Sequence, residues 1–108
     1  MIKVMYYIGT CDKDTCKKEL LDRDFYKVFN ELFINYTLQK AQGVYTMQDA
    51  GTVVKEDTFI ITTFIETRQL DDVKECCEVV FDNVQVLKNK LNQELILVEV
   101  TKPEIMFL

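Results

Sequence analysis

The stretch YIGTCDKDTCKKE, residues 7–19, gathers side chains that could do chemistry: Cys11 and Cys16, the acids Asp12, Asp14 and Glu19, and the bases Lys13, Lys17 and Lys18. Structural zinc draws thiolates from tight CxxC-type arms. Neither Cys11-x4-Cys16 nor the vicinal pair Cys76-Cys77 supplies one. Neither cysteine of this loop has an adjacent histidine to make a catalytic thiolate, since the chain has no histidine. That absence also removes Ser-His-Asp and Cys-His arrangements and most catalytic zinc sites. Gly9 stands alone, without the glycine spacing that lets backbone amides wrap a phosphate. Carboxylates are plentiful, but spacing alone places no pair for acid–base work. The expectation is therefore no catalytic residue, no metal, no cofactor and no enzyme. Reduced thiols are the default, with Cys77 filling the core, while Cys11 and Cys16 sit in a solvated loop where they could react.

Bulk properties narrow the rest. A chain of 108 residues, 48% hydrophobic and 29% charged, with three Gly and one Pro, reads as one folded domain over residues 1–108. No run is long enough to cross a membrane, and MIKVMYYIG lacks the features of a signal peptide, so a cytoplasmic protein is expected. With 18 acids against 13 bases the formal charge is −5. That disfavours direct binding to nucleic acid or an anionic membrane and suits a basic partner surface.

These residues must be positioned by elements with clear signatures. IKVMYYI, residues 2–8, is a β-branched and aromatic strand ended by Gly9. Asp22 is expected to cap a helix whose apolar face is Phe25, Val28, Phe29, Leu32, Phe33 and Tyr36. LQKAQGVYTMQ is a second strand with a bulge expected at Gly43, and a turn at Asp49-Ala50-Gly51 leads to a third strand, VVKEDTFIITTFIE. A second helix opens at Thr67 or Asp71, its inward face reading Leu70, Val73, Cys77, Val80, Phe81, Val84, Leu87 and Leu91. QELILVEVT, residues 93–101, is the fourth strand, and an apolar tail covers residues 103–108. The order β-α-β-β-α-β with right-handed crossovers predicts an α+β ferredoxin-like sandwich. Its antiparallel sheet is ordered 4-1-3-2, with both helices on one face.

That topology brings the Gly9–Lys18 loop, the Asp49–Gly51 turn and Asn92-Gln93-Glu94 to one end. The expected binding residues there are Asp12, Lys13, Asp14, Thr15, Glu56, Asn92, Gln93 and Glu94. A second candidate surface is the stripe Asp71, Glu75, Glu78 and Asp82 on the second helix, flanked by Val79 and Val86. At about 1.5 Å rise per residue its acids repeat near the phosphate spacing of a nucleic-acid strand. Strands three and four are apolar on both sides, which predicts that the helix-free face is covered, by a second copy in a homodimer with a contribution from the tail.

The runs YIGTCDKDTCKKE, GVYTMQDAGTVVKEDT and LNQE resemble a family of small uncharacterised proteins from bacteria, mostly Firmicutes and gut species, and from their phages and mobile elements. The shared positions are Gly9, Asp12, Lys13, Asp14, Thr15, Glu19, Gly43, Glu56, Asn92, Gln93 and Glu94. Lys18 stands where the family pattern has Gln, and Leu95 where it has Ser. The resemblance implies a phage or mobile-element setting rather than a reaction.

Together these readings predict a non-catalytic acidic protein, homodimeric and phage-encoded, that inhibits a host defence protein in the host cytoplasm by occupying its basic surface. The alternatives are a dimeric small-molecule or nucleotide binder, or modest enzyme, with its site at the 9–18, 49–56 and 92–94 end, and an assembly protein of the mobile element.

Overall fold

A computed structural model describes residues 1–46, 51–66 and 73–104, the side chains of 45, 73 and 74 aside. The elements follow the expected order: β1 (Ile2–Gly9), α1 (Asp22–Leu32), β2 (Thr37–Thr46), β3 (Val53–Ile65), α2 (Val73–Leu91) and β4 (Leu97–Thr101). All strand pairs are antiparallel and the sheet runs β2-β3-β1-β4, the ferredoxin-like order 4-1-3-2. The opening of the second helix, the Asp49-Ala50 part of the turn and tail residues 105–108 lie outside the described residues.

The period-two pattern of β1 divides the sheet. Ile2, Val4, Tyr6 and Ile8 are buried under the helices, while Lys3, Met5 and Tyr7 face the other way. Register carries this across the sheet: Phe59 and Ile61 of β3 join the buried side, and Ile60 and Phe64 the open one. Phe25 and Phe29 of α1 close over Phe59, with ring centroids 5.1 and 5.7 Å away. Tyr6 is buried by this packing and accepts a hydrogen bond on its hydroxyl from Asn83 of α2 at 3.1 Å. Burial pushes its phenol above the ordinary value.

Several local expectations are corrected. Asp22 is the first residue of α1, not its cap; Leu21 occupies the cap, and its N–H donates to the Asp24 carboxylate at 2.9 Å. Asp22 instead pairs with Lys18 and Lys40. No bulge occurs at Gly43, which pairs in register with Glu56. The fourth strand begins at Leu97, because Asn92 to Ile96 are taken up by the helix exit. The phase of α2 also differs from the sequence reading: Cys76 is fully buried, whereas Cys77 is exposed and Phe81 is 62% exposed. Steps Cys76, Val80, Leu87 and Leu91 form the inward stripe, one position back from the expected one at its start.

Candidate functional site

The loop after β1 is shaped by Asp12. Its Oδ1 accepts from the backbone N–H groups of Asp14 at 2.8 Å and Thr15 at 3.2 Å, the local turn that a short carboxylate favours. Backbone bonds from Cys16 N to Asp12 O and from Asp12 N to Lys17 O, both 2.8 Å, close the loop on itself. Cys16 takes up the turn with φ 58.

The other wall is the exit of α2. Asn92 has φ 49, a left-handed conformation that asparagine tolerates, and Gln93 N–H returns to Lys88 O at 3.1 Å. This is a Schellman closure, and it satisfies carbonyls that the helix end would otherwise leave open. The closure aims both side chains at the loop. Asn92 Nδ2 donates to Asp12 Oδ2 at 2.7 Å and Asp14 Oδ2 at 2.9 Å, and Asn92 O accepts from Lys13 N–H at 3.0 Å. Gln93 Nε2 donates to Cys11 O at 2.9 Å. The bond from Asn92 is the chief reason the Asp12 carboxyl lies below its ordinary value.

Glu56 of β3 completes the arrangement. Its Oε1 accepts from Cys11 N–H at 2.7 Å, so the carboxylate lies across Gly9. A Cβ on Gly9 would fall 2.8 Å from Glu56 Cδ, which explains the glycine without any phosphate-binding role. Burial, and secondarily the Glu56 charge, push the Cys11 thiol up. Cys11 and Cys16 are both free thiols, and Cys11 is disfavoured as a thiolate nucleophile.

These groups enclose a cleft of about 640 Å³ lined by Cys11, Asp12, Lys13, Cys16, Val54, Glu56, Gln93, Glu94 and Leu95. Five of the eight residues expected at this end, Asp12, Lys13, Glu56, Gln93 and Glu94, line it. Asp14 and Asn92 support the wall, and Thr15 contributes its N–H to the Asp12 turn. The apolar wall of Val54 and Leu95 was missed. Its signal is weak, since both look like ordinary strand residues. Lys90, in the last turn of α2, pairs with Glu31 of α1 at 3.1 Å. Among the described residues no group of three or more Cys, Asp or Glu is arranged to hold a metal.

On α2, Glu75, Glu78 and Asp82 are exposed, Val79 is 39% exposed and Val86 half-buried; Asp71 lies outside the described residues. The acids lie on the water-facing side of the helix, where charged residues ordinarily collect.

The chain is thus a small ferredoxin-like protein with a cleft at one end of its sheet. The sequence matches no protein-family model and no curated protein. Its fold is similar to that of a phage SAM lyase solved in complex with S-methyl-5′-thioadenosine, at 19% identity and TM-score 0.65, over 94% of this chain and 80% of that one. It is also similar to CutA1 from Pyrococcus horikoshii (11% identity, TM-score 0.54, 99% and 87% covered). A third likeness is to the divalent ion tolerance protein CutA1 from Ehrlichia chaffeensis (13%, 0.52, 98% and 84%). These counterparts overturn the expectation of a non-catalytic anti-defence inhibitor, since they are a lyase and ion-tolerance proteins. Lacking histidine removes histidine chemistry, not the work a positioned carboxylate can do.

Proposed function

We propose that the chain is a small-molecule enzyme of the lyase type acting on S-adenosylmethionine, with its site in the cleft between the Cys11–Cys16 loop, Glu56 and Gln93-Glu94. The observation that carries this reading is the Glu56 carboxylate: one oxygen is fixed by Cys11 N–H, and the residue borders a cleft of a size suited to a nucleoside. The fold shared with a phage SAM lyase that binds S-methyl-5′-thioadenosine supports the choice of substrate. The family resemblance draws on the same segments, Asp12 to Thr15 and Asn92 to Glu94.

The chemistry suits the residues present. A sulfonium is a good leaving group. Breaking the bond from sulfur to the γ-carbon of the amino-acid chain leaves the electron pair on sulfur and releases S-methyl-5′-thioadenosine. The four-carbon fragment closes on its own carboxylate to a lactone, which balances atoms and charge within the substrate. The protein then has to fold the substrate into a reactive geometry. In this reading Glu56 and Glu94 hold its ammonium group, and Lys13, the one base among the described lining residues, its carboxylate. Incubating S-adenosylmethionine with the protein should yield S-methyl-5′-thioadenosine by chromatography. Glu56→Gln, which keeps an acceptor for Cys11 N–H but removes the charge, should lower conversion about ten- to a hundredfold. Absence of product from the unaltered protein would refute the activity.

Self-association belongs to the same reading. Leu97 is 68% and Phe64 48% exposed on the helix-free face, and Leu95, 81% exposed, stands at the cleft. A second copy on this face would take that apolar surface out of water. Light scattering should give a mass above that of one chain; a monomer at micromolar concentration would exclude it.

A further inference from the structure

Gln93 is the most buried residue of the cleft lining, 6% exposed. Its Nε2 donates both to Cys11 O at 2.9 Å and to Leu91 O at 3.3 Å. Turning the amide over would set Oε1 against two carbonyl oxygens, so its orientation is fixed by the backbone around it. Oε1 makes no hydrogen bond to any described residue. Yet among the described residues no buried side-chain oxygen or nitrogen lacks a partner, so Oε1 keeps access to open space, and Gln93 borders the cleft. The most buried residue of the lining therefore carries a neutral acceptor that cannot become a donor.

Its surroundings narrow what it meets. Val54 and Leu95 supply apolar surface for a flat ring, while Asp12, Glu56 and Glu94 add further acceptors and repel phosphate. Resting on the nucleoside reading above, we propose that Gln93 Oε1 accepts a hydrogen bond from the exocyclic amine of a purine. Gln93 is then the residue that makes the cleft take an amino-purine nucleoside in preference to an oxo-purine one. An oxo-purine turns a carbonyl oxygen toward Oε1 and leaves two acceptors facing each other.

Calorimetric titration of the intact protein with S-methyl-5′-thioadenosine and S-methyl-5′-thioinosine tests this. The two ligands differ at the group Gln93 would read. The inosine compound should bind at least about tenfold more weakly, the loss of one good hydrogen bond. Gln93→Met, which keeps the side-chain bulk and removes the acceptor, should bring the two affinities to within about threefold, whatever it does to their absolute values. Should that variant not fold, the ratio in the unaltered protein decides. Equal affinity for the two ligands overturns the role of Gln93 and leaves the nucleoside site standing; binding of neither overturns both.

Discussion

Gly9 and Glu56 couple a backbone position to the proposed site. The glycine is kept free of a side chain so that a carboxylate can lie over it and reach Cys11 N–H. Gly9→Ala should therefore separate stability from binding. The group it strikes is the free end of a flexible side chain, so Glu56 swings away and stability falls by only about 1 kcal/mol, one lost hydrogen bond. Affinity for S-adenosylmethionine, whose ammonium group Glu56 holds in the reading above, should drop at least about tenfold. Thermal unfolding beside calorimetry checks this, and a variant that binds normally would remove Glu56 from the site. A second expectation at this scale concerns pH. Asp12 is lowered chiefly by Asn92, and Asp22 chiefly by Lys18 and then Lys40, both from an ordinary value of 3.8. A depressed carboxyl stabilises the fold above that value and ceases to do so as pH falls through its folded pKa. The stability gap between the protein and Asp22→Asn should thus be present at pH 7 and shrink below pH 3.8. A gap independent of pH would mean the ion pairs contribute nothing.

The elements were legible in the sequence to unequal degrees. β1 and α1 declare themselves because their periods are strict: alternate residues of IKVMYYI are buried, and Phe25 and Phe29 of α1 lie under the sheet. α2 did not, because apolar residues occur on more than one of its faces. Val79, Phe81 and Cys77 are as apolar as Val80 and Cys76, so three-and-four spacing fits two phases. Tertiary packing chose the phase that puts Asn83 against the Tyr6 hydroxyl. Leu87→Ala should then cost about 2–5 kcal/mol, as for a fully buried leucine, whereas Phe81→Ala should change stability by no more than about 0.5 kcal/mol. Denaturant unfolding of both variants checks the phase; a large loss at Phe81 would restore the sequence reading. The placement of the candidate site was readable through topology rather than motif. Strand directions alone bring the loop after β1 beside the exit of α2. Which side chains face inward depends on the Schellman closure at Asn92 and the turn at Asp12, which no period encodes.

At the scale of the molecule, the same fold that buries its core beneath two helices leaves an apolar face and a cleft at one end of the sheet. A second concavity, of about 550 Å³, is lined by Asn30, Ile34, Tyr36, Thr62 and Phe64 with flanking residues, away from the Cys11–Cys16 loop. Among the described residues these two candidate locations for a ligand, with the acidic face of α2 as a third, make placement the decisive question. Backbone amide shifts of the isotopically labelled protein, followed during titration with S-methyl-5′-thioadenosine, answer it directly. Saturable shifts are expected at Cys11, Asp12, Lys13, Glu56 and Gln93, with Ile34, Thr62, Glu75 and Glu78 unmoved. Shifts confined to either of those other two regions, or no saturable shift at all, would contradict that placement.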